Sequence, residues 1–191
     1  LSQMKRDMMA EVAATLAFST IANNDKVGVI FFSDKVEKFI PAKKGKTHVL
    51  HIIRELLSYE PSSTGTDIAQ ALQYFANAQK RHCTAFVISD FIDSGAIYKP
   101  LLIASNRHEV NAIQIYDRRE TELPNVGLLK FRDAETGDDL WIDTAIAAVR
   151  QTYAKAWRRN QEEIEQLFTR TGVNHVSVRT DEDYVKALMQ L

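Results

Sequence analysis

Three short runs constrain this chain more than anything else in it: "VGVIFF" at 27–32, "TAFVIS" at 84–89 and "VNAIQIY" at 110–116. Each is apolar on most of its residues, and each stops at a polar or acidic one, Ser33-Asp34, Asp90 or Asp117. A strand with one wet face alternates polar and apolar residues. A strand that does not alternate must be covered on both faces. The segments between the runs have helical spacing. Met4, Met8, Val12 and Leu16 form one face, and Val49, Ile52, Ile53, Leu56 and Leu57 form another. Ile68, Ala71, Leu72, Phe75 and Ala76 form a third. A further helix is predicted around Tyr98–Arg107, and a long one from about Thr144 to Thr171 carries Val149, Tyr153, Trp157, Ile164, Leu167 and Phe168 inward until Gly172 stops it. Buried strands alternating with amphipathic helices predict an α/β fold, a Rossmann-like, mostly parallel sheet with helices on both faces.

Other segments fill in this frame. "VEKFI" alternates like an edge strand closed by Pro41 and Gly45, and "HVSV" is a last strand. "GLLKFRDAETGDDLWID" at 127–143 is predicted as a β-hairpin insertion turning at Glu135-Thr136-Gly137-Asp138, with Trp141 as a candidate contact surface. Thr47, Thr66 and Thr180 are placed to cap the helices that follow them. With 191 residues and hydrophobic content of 45%, one domain over 1–191 is expected. A formal charge of −1 gives no global pull toward nucleic acid or an anionic membrane. The only cysteine, Cys83, can form neither an internal disulfide nor a zinc cluster, and it reads as a buried, inert thiol in a reducing, cytoplasmic setting. No stretch has the length of a membrane span. The chain opens without a start methionine on a helical pattern, so the true N-terminus is expected to lie upstream.

In open parallel sheets, ligands bind beyond the carboxyl ends of the strands. Asp90, Asp117 and the loop Ser62-Ser63-Thr64-Gly65-Thr66-Asp67 belong there. A hydroxyl and a carboxylate at such an edge suit a hard cation such as Mg²⁺. The plainer readings stand beside this one. Thr66 can be a helix cap, Thr64 and Asp67 a capping box, Asp90 a turn cap, and Asp117 a partner for Arg118 or Arg119. The chain has no G-x-S-x-G elbow and no phosphate-loop glycine motif. Its five histidines are scattered.

Several blocks carry a resemblance: "DKVGVIFFSDKVEKFIPAKKGKTHVLHIIREL", "TGTDIAQAL", "AFVISDF", "VNAIQIYDRRETELPNVGLLKFRDAETG" and "RTDEDYVKAL". Over nearly its whole length the chain resembles bacterial MoxR-associated proteins with a von Willebrand factor A-like domain (domain of unknown function family 58). The resemblance implies a Rossmann-like sheet and a metal-ion-dependent adhesion site. Such a site takes a D-x-S-x-S loop, a threonine that matches Thr66, and an aspartate that matches Asp90. The D-x-S-x-S strand would precede Leu1 and be central in the sheet, so two unpaired strand edges are expected without it. Mg²⁺ binding by Thr66 and Asp90 alone is expected to be weak. Phe91 stands where many adhesion-site domains have glycine, and is expected to narrow the site or touch a partner.

Function follows as an expectation. The resemblance implies a non-enzymatic protein-interaction module that works with a MoxR-type AAA+ ATPase in protein assembly or maturation. The alternative is a Mg²⁺-dependent phosphoryl-transfer hydrolase on the same sheet. A paired nucleophile motif such as D-x-D after a strand would favour it. A third reading treats the strand-end acids as caps only.

Overall fold

The computed structural model describes residues 2–63, 65–92, 97–132 and 139–191. In chain order these form α1 (Ser2–Ala22), β1 (Val27–Phe32), β2 (Val36–Lys43), α2 (Lys46–Ser58), α3 (Ile68–Ala78), β3 (Thr84–Ser89), α4 (Tyr98–Ser105) and β4 (Glu109–Tyr116). Then follow α5 (Arg118–Thr121), β5 (Leu128–Arg132), β6 (Asp139–Asp143), α6 (Ala147–Thr171), β7 (Asn174–Arg179) and α7 (Tyr184–Leu188). The side chain of Met4, the hydroxyl of Thr64 and the hairpin turn at 135–138 lie outside the described residues.

The expected α/β architecture is present. A parallel sheet runs β3-β4-β7, β1 and β2 pair antiparallel, and β5 and β6 form the antiparallel hairpin. β4 is the axis, with Val110 through Ile115 all buried. Its side chains alternate between two cores. Val110 and Ala112 join Ile68 and Leu72 of α3, Leu101 of α4, and Ile164 and Phe168 of α6. Ile113 and Ile115 join Val12 of α1 and Val176 and Val178 of β7, with Tyr184 and Leu188 of α7 against them. Helices therefore cover both faces.

β1 and β3 depart from the expectation of full burial. Five of the six β1 residues are half-buried and Gly28 is exposed, while Phe86 of β3 is 40% exposed. Among the described residues β1 pairs only with β2, and β3 only with β4. Each of these strands therefore has one unpaired edge. Two helices hold the sheets side by side from opposite faces. On one face α1 packs Ala17 and Ile21 with Val27, Val29 and Phe31 of β1, and Val12, Met8 and Leu16 with Ile88 of β3. On the other, α3 packs Ile68, Leu72 and Phe75 with Phe32 of β1 and Val87 of β3.

Several local expectations need correction. β2 runs through Pro41 to Lys43, which an edge strand tolerates because its outer N–H groups need no partner. The cap of α2 is Gly45 at φ 105°, not Thr47, and Leu57 is 66% exposed instead of lying on the inner stripe. α3 is capped by Asp67, whose side chain accepts from the Gln70 N–H, so Thr66 is not the cap. α7 is capped by Asp183, and the Thr180 hydroxyl instead donates to Asp117 Oδ2 at 3.1 Å. Trp141 is 59% exposed, with Lys130 Nζ 5.9 Å from its ring centroid. Gly172 does stop α6, in the left-handed region at φ 66°. No described helix is long and apolar enough to cross a membrane.

Candidate functional site

The loop containing Thr66 is fastened to the β1–β2 hairpin. The Asp67 N–H donates to the Ser33 carbonyl at the end of β1, at 2.7 Å. Glu37 of β2 accepts at Oε1 from the Ser33 hydroxyl at 2.7 Å, the Ser62 hydroxyl at 2.8 Å and the Ser62 N–H at 3.0 Å. These bonds hold its carboxyl far below the ordinary range, at about 2, with the Ser33 hydroxyl the largest cause. The Thr66 side chain is exposed, and among the described residues its hydroxyl has no hydrogen-bond partner.

A depressed carboxyl pKa stabilises the fold above the unfolded value, near 4.3 for glutamate, and that contribution is lost as the pH falls toward 2. Glu37→Gln is therefore expected to flatten the acid limb of stability between about pH 4.3 and 2. Thermal melts across that window check this. An unchanged acid limb in the variant would mean that the Ser33–Glu37–Ser62 bonds do not hold the loop.

Asp90 follows β3 directly. Its carbonyl accepts from the amide of Gln114, a side chain of β4 that is 1% exposed, and the Gln114 oxygen accepts from Ser177 of β7. The strand-end backbone is thus tied across the sheet. The Asp90 carboxylate makes a weak turn contact, 3.4 Å from the Ile92 N–H, and a close one to a cation: Lys5 Nζ of α1 lies 2.8 Å from Oδ2. The same ammonium lies 2.6 Å from Glu120 Oε1, and the Lys5 side chain is only 13% exposed. Burial works against the Lys5 charge, but the hydrogen bonds to Asp90 and Glu120 outweigh it and raise its pKa.

Asp117, 6% exposed, is the cap of α5. It accepts from the Arg119 N–H at 2.8 Å and from Thr180, and Glu120 completes a capping box by accepting from the Asp117 N–H. Among the described residues the expected pairing of Asp117 with the side chain of Arg118 or Arg119 is not found; the Arg119 N–H and the Thr180 hydroxyl take its oxygens.

Phe91 also needs correction. Its backbone sits at φ 54°, a region that favours glycine, yet its ring is wholly buried and meets Phe168 edge-on at 5.2 Å. The ring points into the core under the loop, so it neither narrows the site nor offers a partner contact.

Asp90, Glu120 and Lys5 thus meet at the carboxyl edge, while Thr66 belongs to a separately anchored loop. Among the described residues no hydrogen bond joins Thr66 to Asp90, and no three His, Cys, Asp or Glu side chains converge as a metal set. Sequence reasoning missed Glu120 and Lys5. Glu120 stands at the third position after the cap Asp117, a capping-box spacing legible in "DRRE". Lys5 left no signal, because its partners are remote in sequence. At the other end of β3, Cys83 is half-buried where full burial was expected; its Sγ lies 3.6 Å from His108 Nδ1, and burial raises the thiol pKa.

A family model described as "Protein of unknown function DUF58" matches residues 1–163. The chain is similar to the uncharacterized protein Rv1480 of Mycobacterium tuberculosis, 28% identical over 190 residues, or 97% of this chain and 59% of that protein. It is 29% identical over 155 residues to the uncharacterized protein MAV169 of Mycobacterium avium, covering 79% of this chain and 90% of that one. It therefore spans about three-fifths of the length of Rv1480. Among solved structures, the aerotolerance-related membrane protein of Bacteroides fragilis has TM-score 0.56 at 20% identity, covering 95% of this chain and 86% of that one. BatB of Bacteroides thetaiotaomicron has TM-score 0.53 at 18% identity, covering 95% and 84%. These two share the fold.

Proposed function

The chain belongs to the DUF58 family, and we propose that it is a non-enzymatic protein-interaction module built on a von Willebrand A-like sheet. Its carboxyl edge holds part of a metal-ion-dependent adhesion site. One observation carries the reading: at the end of β3 the Asp90 carboxylate, fixed by its backbone, already holds a cationic group together with Glu120. That donor set has the chemistry a hard cation needs. Asp90 and Thr66 would hold Mg²⁺, and the metal would supply an open coordination position for an acidic group of a partner. The unpaired edges of β1 and β3 support a further strand between them, where the resemblance implies the D-x-S-x-S segment. Binding is favoured over turnover because, among the described residues, no activated nucleophile or general base stands beside Asp90. A MoxR-type AAA+ ATPase as partner and a cytoplasmic setting belong to the same proposal.

Calorimetric titration of Mn²⁺ and Mg²⁺ into the protein and into Asp90→Ala tests it. Weak binding, tightest with Mn²⁺ and abolished by the substitution, is expected. Metal affinity unchanged in Asp90→Ala would sink the reading and leave Asp90 as the anchor of an ion pair.

A further inference from the structure

We infer that Lys5 is an internal counter-cation that occupies the metal's place at Asp90, so that the first turn of α1 and a divalent ion exclude each other there. This rests on the metal reading of Asp90 and adds its regulation.

Three features carry the inference. First, Nζ contacts both carboxylates, at 2.8 Å from Asp90 and 2.6 Å from Glu120, while the lysine side chain is 13% exposed and the acids 28% and 18%. A pair this sheltered is not a solvated surface contact, and it directs the ammonium onto the oxygens a metal would use. Second, the charges do not balance. One ammonium offsets one of two carboxylates, whereas a divalent cation offsets both. The two cations together would overfill the same oxygens and repel each other at close range. Lysine is suited to yielding, because its charge sits on a flexible four-carbon stem.

Third, the neighbouring residue ties this turn to the other half of the site. Arg6 donates to the Tyr59 carbonyl, just past the end of α2 and next to the loop that contains Ser62 and Thr66. Withdrawal of Lys5 therefore involves the same turn that holds the Tyr59 carbonyl. Metal entry is coupled to the setting of α1, which spans β1 and β3.

The test is Mn²⁺ titration of the full chain as wild type, Lys5→Gln, Lys5→Arg and Asp90→Asn, with Arg159→Gln on the exposed face of α6 as a control for loss of one positive charge. Lys5→Gln is expected to bind Mn²⁺ about tenfold more tightly than wild type or better. Lys5→Arg should bind no more tightly than wild type, Arg159→Gln should stay within about twofold of it, and Asp90→Asn should not bind. A second readout needs no variant: reductive methylation of Lys5, followed by mass spectrometry, should be slow in the apo protein and faster at saturating Mn²⁺. Equal affinity in wild type and Lys5→Gln, with binding still lost in Asp90→Asn, overturns the role of Lys5 and leaves the metal reading standing. Methylation of Lys5 indifferent to bound Mn²⁺ also overturns it. No binding in either wild type or Lys5→Gln overturns both.

Discussion

Phe91→Ala is expected to lower stability by about 3–5 kcal/mol, and Phe91→Gly by about 1 kcal/mol less. The first figure follows from burial. The ring is wholly enclosed and packs edge-on against Phe168 of α6, in the cluster that also holds Ile68, Leu72 and Leu101. Removing it leaves a cavity where the β3 loop meets that helix. The ordering of the two variants follows from the backbone. Glycine is ordinarily worse than alanine because it has more unfolded-state freedom to lose. At φ 54° the preference reverses, since a Cβ is strained there and glycine is not. The native phenylalanine offsets that strain with the apolar burial of its ring. Urea unfolding of the three proteins checks both statements. Glycine falling below alanine would mean that the positive φ is not kept in solution, and a loss under about 1 kcal/mol would mean that the ring is not packed as described.

Gly28→Val carries the second large effect, about 2–4 kcal/mol of destabilisation. A Cβ at Gly28 would lie 2.7 Å from the Ile40 carbonyl oxygen and 2.8 Å from the Ala42 nitrogen. Both are backbone atoms of β2, so no side chain can swing away. Gly28 falls where the β1–β2 register shifts, between the Val27–Lys43 and Val29–Ile40 pairs, and the two backbones approach closely there. Added bulk must push the strands apart. The damage should reach the candidate site, because the same hairpin carries Ser33 and Glu37, which hold the Ser62–Asp67 loop. Hydrogen exchange of the β1 and β2 amides, together with the denaturation midpoint, reads both consequences. Wild-type protection in β1 and β2 alongside an unchanged midpoint would show that the strands can separate freely at this point.

For the proposed interaction module these two positions mark different parts of the scaffold. Phe91 fixes the loop that carries Asp90 from below, while Gly28 permits the hairpin that braces the Thr66 loop. Neither touches the carboxylates. Their substitution should disturb ligand binding only through geometry, in contrast to Asp90→Ala, which removes an oxygen donor outright.

Local periodicity was enough to encode the elements and much of the core. Runs without alternation became the strands of an α/β core, and apolar faces at helical spacing became α1, α2, α3 and α6. A glycine past the last apolar turn of α6 became its left-handed stop. Strand-end position also placed Asp90 and Asp117 at the carboxyl edge, because that follows from order along the chain. The caps, the ring direction and the charge cluster depended on packing between segments. Which of several small polar residues caps a helix turns on a bond of about 3 Å, and competition among neighbours settled it for Asp67 over Thr66 and for Asp183 over Thr180. The direction of the Phe91 ring depends on one backbone angle that residue type disfavours. Lys5, Asp90 and Glu120 are remote along the chain and meet because α1 crosses the sheet beside β3 and β4. Periodicity carries burial, which is a property of each segment. Charge pairing depends on the distance between segments, and that distance is set only when they pack.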